Sequence, residues 1–494
     1  MDLPREVILT IKKLEKYGFE AFAVGGCTRD ILRGTRPKDW DVATNAKPQE
    51  IQKIFPDSFY KNKFGTVTVK LKGEIKEIEI TTYRIDEKYT DKRHPDSIKW
   101  AEKIEEDLAR RDFTVNAMAI KIKNSKTKSQ NENLKLKIKN YQIIDPFGGQ
   151  EDLKKKIIRT VGEPEERFSE DALRLLRAVR FATTLGEKWK IETKTLKAIK
   201  KNAPWIQAIS KERIKEEFVK IIMSNKAYKG LILLQETGIL KYIIPELEKG
   251  VGVSQNRHHI YTIFQHAVLS LKYAADYNYN LNVRLAALFH DIAKPQTKKG
   301  EGPDATFYNH DIVGAKIAME ILERLRFPLK IIEKVGTLIR NHMFFYDPEI
   351  VTESSVRRLL KRVGKENIEE LLQLRICDRK GSGVPKARPY RLRHLEYIIS
   401  KVSKDPISVK MLKINGNDIM KTLKIKSGPK VGLILNALLA EVLEDPQKNK
   451  KELLLKRTLD FKKLNEKELK KAGKIVEDKK MEIEERLKEK YWVK

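Results

Sequence analysis

The chain of 494 residues carries only two cysteines, Cys27 and Cys377, which excludes a disulfide framework. No apolar run reaches the length needed to span a bilayer. The N-terminus, Met1-Asp2-Leu3-Pro4-Arg5, lacks the hydrophobic stretch of a signal peptide. These absences predict a cytoplasmic protein with no membrane contact, and nothing in the chain implies a stable protein partner. No internal repeat is visible. Acidic residues are also short: 69 Asp and Glu face 101 Lys and Arg, a formal net charge of +32. Such an excess predicts a polyanionic partner, nucleic acid being the commonest. A thermophile's Lys/Glu-rich surface would raise both signs together.

A hydrophobic content of 40% suits a globular protein, and the length is too great for one core, so two to four domains are expected. Val7, Leu9, Ile11, Leu14 and Phe19 give a rough helical stripe, and Ala21–Val24 reads as a buried strand running into Gly25-Gly26. Residues 66–71 and 75–80 read as paired strands around Lys72-Gly73. Residues 134–144 supply another strand, after a polar loop over 123–133. Beyond about residue 150 the strand signal fades. From Ser169 onward the pattern is helical, broken near Ala203-Pro204, 250–252, 299–303 and 381–385. The charged stretch 460–494 fits either a solvated helix or a tail. A small α/β head followed by an all-helical body is expected.

Two groups of residues carry chemistry. In the head, Val24-Gly25-Gly26-Cys27-Thr28-Arg29-Asp30 joins a strand to a helix. Gly25 and Gly26 let backbone N–H groups approach a phosphate, the helix N-terminus favours the anion, and Arg29 can add a charged contact to a triphosphate. Next comes Lys38-Asp39-Trp40-Asp41-Val42. In a strand, Asp39 and Asp41 would face the same side and present two carboxylates. Neighbouring carboxylates repel unless a cation neutralises them, and Mg²⁺ does so in phosphoryl transfer. Glu79 has the right alternation on a probable neighbouring strand to complete the set, with Glu77 on the same face as its competitor. Either pair alone fits an ordinary turn or a solvated strand end.

Taken together, Gly-Gly-x-x-Arg-Asp and Asp-Trp-Asp resemble the signature of the DNA polymerase β-like nucleotidyltransferases. Later blocks narrow the resemblance to the class II tRNA nucleotidyltransferases, the CCA-adding enzymes, and the related bacterial poly(A) polymerases. Residues 110–117, Arg110-Arg111-Asp112-Phe113-Thr114-Val115-Asn116-Ala117, resemble motif B of that family. Asp145-Pro146-Phe147-Gly148-Gly149 with Asp152-Leu153 resembles motif C, Glu170-Asp171-Ala172-Leu173-Arg174 motif D, and residues 211–217 motif E. The blocks stand in family order over about residues 20–220. The implied fold class is α+β: a small polymerase-β-like head with a mixed sheet and helices, then an all-α neck, body, HD domain and tail. The expected boundaries are 1–145, 146–255, 256–385 and 386–494.

Motif D has a chemical logic of its own. Asp171 and Arg174 are three apart, which on one helix makes them neighbours on a face. A carboxylate accepts the exocyclic amine of cytosine or adenine, and a guanidinium donates to the adjacent ring acceptor. Uracil and guanine show the reverse pattern and would leave buried polar groups unpaired, at about 1–3 kcal/mol each. The resemblance implies this reading role for Asp171 and Arg174. Arg177 and Arg180 continue the step, toward triphosphate or the acceptor end, or as ordinary helix charges. By resemblance, Arg111 and Asp112 contact ribose and triphosphate, with Arg110 and Asn116 supporting. The implied partners are tRNA, CTP and ATP.

Poly(A) polymerases of this class usually carry a Gly-Arg-Arg-Phe element after motif A; residues 60–67 here look like the tRNA-enzyme version instead. Residues 84–87 and 89–96 resemble the flexible loop that full CCA addition needs. Complete CCA addition is the preferred reading, with A-adding, CC-adding or poly(A) activity as alternatives.

The second group lies downstream: His266, His290-Asp291, His310, His342 and Asp378. Imidazole and carboxylate donors suit a divalent transition metal, and His310 and His342 can serve a second ion. The order resembles the HD phosphohydrolase superfamily, with Leu288-Phe289-His290-Asp291-Ile292-Ala293-Lys294-Pro295 matching its central motif. Hydrolysis of 2′,3′-cyclic phosphates or phosphate esters is the implied activity. His258 and His259 are not read as ligands. Residues 412–418 and 427–432 resemble the tail of HD-containing CCA enzymes, where Gly428-Pro429-Lys430-Val431-Gly432 fits an RNA-backbone contact or a simple helix cap.

Overall fold

The computed structural model describes residues 3–60, 65–87, 97–123, 141–256, 260–383, 388–403 and 409–493. The chain divides into two compact units, one of Met1–His342 with Gln373–Val384 and one of Met343–Leu372 with Pro385–Lys494. Among the described residues no helix is long and apolar enough to cross a membrane.

The first unit opens with the Arg5–Lys16 helix, whose buried stripe Val7, Ile8, Ile11 and Leu14 has helical spacing. The head strands follow as β1 (Ala21–Val24), β2 (Asp41–Thr44), β3 (Ser58–Tyr60), β4 (Thr66–Lys70), β5 (Glu77–Thr82), β6 (Arg84–Glu87), β7 (Ser97–Trp100), β8 (Ala119–Ile122) and β9 (Tyr141–Ile144). Seven form one mixed sheet in the order β3-β4-β5-β2-β1-β8-β9, and β6 pairs with β7. Of the sequence strand over 134–144, residues 141–144 form β9; 134–140 and most of the preceding loop lie outside the described residues. Alternate residues of β1 go to two cores. Ala21 and Ala23 join the Arg5–Lys16 helix, while Phe22 and Val24 pack with Tyr83, Leu108 and Ala119. Burial on both faces is why β1 reads as an unbroken apolar run.

Helices then dominate, with one departure from expectation. Ile157–Ile158 and Lys190–Ile191 form a small parallel pair. Two residues are too few to show a period. Arg284 is fully buried in the Leu281–Phe289 helix. It donates to the carbonyls of Ile222 (3.0 Å) and Ser224 (3.0 Å), at the end of the Lys211–Ile222 helix. A cation there complements the helix C-terminus.

In the second unit Ile419, Ile434, Leu438, Leu439 and Leu469 centre a helical core. Its last helix, Glu466–Tyr491, resolves the charged 460–494 stretch as a helix, started by a capping box between Asn465 and Glu468. Pro429 takes the first turn of the Pro429–Glu444 helix, after Gly428.

Candidate active site and candidate metal centre

The head site begins at a turn only glycine fits. Gly25 has φ +75°, and a Cβ there would lie 2.7 Å from Arg111 Nη1 and 3.6 Å from Asp41 Oδ2. The turn thus brings a helix start, a guanidinium and a carboxylate together. Gly26 opens the following helix, Gly26–Leu32.

The carboxylates take their places from strand register. β2 and β5 run parallel, with Asp41 opposite Glu79, and the Glu79 N–H donates to the Trp40 carbonyl at 3.2 Å. Glu77 lies two residues earlier, opposite Lys70 of β4. The register therefore favours Glu79 over its competitor. Asp39 corrects the expectation of strand alternation: it stands in an exposed bend ahead of β2, not in the strand. Asp41 and Glu79 are half-buried. An all-oxygen donor set of this kind, beside a glycine cradle, fits Mg²⁺.

Motif B is wired from below. Arg110 and Arg111 both donate to Asp107, at 2.7 and 3.1 Å, and Asp107 is fully buried. Burial alone would raise the Asp107 carboxyl, but the two guanidinium groups hold it below its ordinary value. Arg29 donates to Asn116 Oδ1 at 2.7 Å and pairs with Asp30 at 2.9 Å. Asn116 donates to Asp112 Oδ1 at 3.0 Å, and Arg177 takes Asp112 Oδ2 at 2.6 and 2.8 Å. Burial raises the Asp112 carboxyl, yet Arg177 and Asn116 outweigh it and bring it down to about 2. Arg180 donates to the buried Glu217 at 2.8 Å; burial, then Arg177, lowers it to about 10.

Motif D departs from the one-helix expectation. Asp171 ends the Pro164–Glu170 helix in extended backbone, φ −142°, and Arg174 lies in the next helix, Leu173–Thr184. The break is local in origin: the Asp171 carboxylate accepts the Leu173 N–H at 3.0 Å, and such side chains compete with helix hydrogen bonds. Asp171 is held by Arg213 at 2.7 Å from the motif E helix. Arg174 is buried and donates to Glu170 and to the carbonyls of Arg167 and Arg110, both at 3.1 Å. Sequence reasoning missed Asp107, and it placed Glu217 and the Asp171 partner Arg213 in motif E without giving either a partner. The last two stand four apart in the motif E helix, a face that a charge-pattern reading could have marked.

Downstream, all six expected ligands converge. Among the described residues, His266, His290 and Asp378 form one group of potential ligand atoms within 4.8 Å, and Asp291, His310 and His342 a second. Asp291 joins the two. Its Oδ2 lies 3.3 and 3.4 Å from the Nε2 atoms of His266 and His290, and its Oδ1 lies 3.4 and 3.9 Å from those of His310 and His342. Backbone carbonyls fix three rings: Nδ1 of His290 meets Ala287 at 3.0 Å, His310 meets Phe307 and His342 meets Ile339, each at 2.6 Å. A ring whose Nδ1–H donates outward turns a bare Nε2 inward, the form that binds metal. The buried Nε2 of His310 has no hydrogen-bond partner among the described residues. Burial disfavours charge on His290, but Asp291 and Asp378 outweigh it and lift the pKa to about 10. Burial, then His290, pushes His342 down to about 3 and keeps it neutral. Carboxylates that stabilise a positive charge on His290 can equally hold a cation, and the mixed donor set fits a divalent transition metal. Lys294, absent from the expected set, reaches Asp291 Oδ2 at 2.7 Å. The loop over 89–96, residues 61–64, and His258 and His259 lie outside the described residues.

Comparison with known proteins matches three successive stretches of the chain. The poly A polymerase head domain matches residues 21–159, the probable RNA and SrmB- binding site of polymerase A matches 189–250, and the HD domain matches 263–380. The CCA-adding enzyme of Geobacillus stearothermophilus is 30% identical over 450 residues, spanning 91% of this chain and 95% of that one. This chain belongs to the CCA-adding enzymes. The CCA-adding enzyme of Geobacillus thermodenitrificans (strain NG80-2) is 44% identical over 241 residues, 49% of this chain and about half, 54%, of that relative's length. A crystal structure of Bacillus stearothermophilus CCA-adding enzyme in complex with CTP superposes with a TM-score of 0.58 at 28% identity, over 93% of this chain and 98% of that one. In this chain Asp171, held by Arg213, lies just past the end of one helix, and Arg174, paired with Glu170, lies in the next.

Proposed function

We propose that the head and neck add C, C and A in turn to the 3′ end of tRNA from CTP and ATP, without a template. The observation that carries this is the meeting of Gly25, Asp41 and Arg111 on one turn, with Glu79 in register beside Asp41. The similarity to an enzyme crystallised with CTP supports it. Asp39 and Asp41, helped by Glu79, would hold Mg²⁺, which supplies charge neutralisation for nucleotidyl transfer. The Gly26 N–H at the start of the helix, with Arg111, orients the triphosphate. The RNA 3′-hydroxyl loses its proton and bonds to the α-phosphorus, the bond to the β-phosphate breaks, and pyrophosphate leaves. Asp171 and Arg174 select cytosine and adenine, and the Asp112–Arg177–Glu217–Arg180 chain holds the reading helix in place.

The HD site is read as a phosphohydrolase centre acting on phosphate esters or 2′,3′-cyclic phosphates. His266, His290 and Asp378 would hold one divalent ion and Asp291, His310 and His342 a second, which would supply an activated water for phosphoester hydrolysis. The test of the transferase reading is incorporation of labelled CTP and ATP onto tRNA lacking its CCA end, with D39A/D41A as control. Three ordered additions, lost in the control, are expected. CC or A alone would point to a split pathway, and a long A-tail to a poly(A) polymerase.

A further inference from the structure

Behind the reading helix lies a cavity of about 450 Å³ that neither centre uses. Arg33, Lys154, Lys156 and Lys188 line it, over a floor of three leucines and Trp189. Its one acid, Glu187, is neutralised by Lys226 at 2.8 Å. Lys154, Lys156 and Lys188 are exposed; none forms a close ion pair among the described residues, and Lys154 feels only Glu151, which Lys155 already holds. Arg33 is held flat: it donates to the Leu185 carbonyl at 2.7 Å, pairs with Asp30 at 3.3 Å and sits 5.6 Å over the Trp189 ring. Lys156 has φ +58°, left-handed backbone that glycine or asparagine adopts more readily than lysine. The cavity adjoins the head centre through the Gly26–Leu32 helix, whose other end starts at the phosphate turn roughly 10 Å away.

We propose that this pocket is a phosphodiester site for the RNA substrate, a reading that rests on the tRNA activity proposed above. Three lysines without a close ion pair, from two separate segments, suit successive phosphates, and the fixed guanidinium plane of Arg33 offers a surface on which an unstacked base can lie. The chain's excess of 101 cations over 69 acids fits a partner of this chemistry. A free nucleotide fits less well, because the polar lining is cationic and offers little to read a base edge.

The test uses the full-length chain and its K154Q/K156Q/K188Q variant. All three lysines are exposed, so the fold should survive the change. Affinity for tRNA lacking its CCA end is measured over a salt series, beside a control triple variant, K16Q/K53Q/K70Q, of exposed head lysines outside the pocket. The pocket variant should lose about 2 from the slope of log K against log salt. Its KM for tRNA should rise on the order of tenfold, with kcat and the KM for CTP unchanged. An unchanged slope, or an equal loss in the control variant, would overturn the proposal. So would a site for inorganic phosphate or CTP that the pocket variant loses while its tRNA slope stays intact, which would assign the pocket to a small anion. Because binding is read apart from transfer, a wild-type chain that binds tRNA with the pocket-dependent slope but adds no nucleotide would sink the CCA reading alone.

Discussion

The two centres are built by opposite means. In the HD centre six candidate ligand side chains already converge, and three rings are pinned by backbone carbonyls. In the head, Asp39 is exposed and Asp41 and Glu79 are half-buried. What is buried and wired there is the supporting set: Asp107 under two arginines, and Asp112 bound to Asn116 and Arg177. In the HD centre imidazole rings stand among the carboxylates, with His290 carrying positive charge beside Asp291 and Asp378, whereas carboxylates alone repel at that range. The difference teaches where each centre keeps its order: the HD centre in its ligands, the head in the arginine and carboxylate network that surrounds its ligands.

That contrast can be broken at either end. The largest effect is expected for Asp41→Ala, which should cut nucleotide incorporation by on the order of 10³-fold or more. Glu79→Gln should follow with a loss of about 10²-fold, while Glu77→Gln stays within about twofold; equal effects of the two would contradict the register argument. Asp291→Ala should release bound metal from both groups together, measured as metal per chain, because its two oxygens face both. Loss from one group alone would show that Asp291 does not join them.

Smaller effects sharpen the picture of the network. Arg213→Ala frees Asp171 and should relax selection of CTP and ATP over UTP and GTP by about 10- to 100-fold, read from kcat/KM for each nucleotide. Unchanged selectivity would mean that Asp171 needs no anchor. Asp112→Asn should lower stability by about 2 kcal/mol at neutral pH. The Asp112 carboxyl lies below its unfolded value, so its contribution is present above about pH 4 and fades as the pH falls toward about 2. The two proteins' denaturation midpoints should therefore draw together in acid, and a constant gap would contradict the assignment.

Legibility in the sequence follows the same contrast. The HD candidates were readable as a group because metal binding demands particular residue types, and all six named positions meet in the fold. Strands β4 and β5 were readable from alternation around Lys72-Gly73. The break at Asp171 was not, since no glycine or proline marks it and the carboxylate itself interrupts the helix. Asp107 and Glu217 were not, because a buried ion-pair residue looks in sequence like any helix charge. Asp39 was misplaced because an alternating Asp-x-Asp does not say where its strand begins.

The central claim is that one chain holds two separable centres, and a crossed assay tests it most directly. Nucleotide addition to tRNA lacking its CCA end, and hydrolysis of a 2′,3′-cyclic phosphate, are measured in D41A and D291A side by side. The account predicts that D41A loses addition and keeps hydrolysis, and that D291A does the reverse. Folded variants that each lose both activities would contradict it.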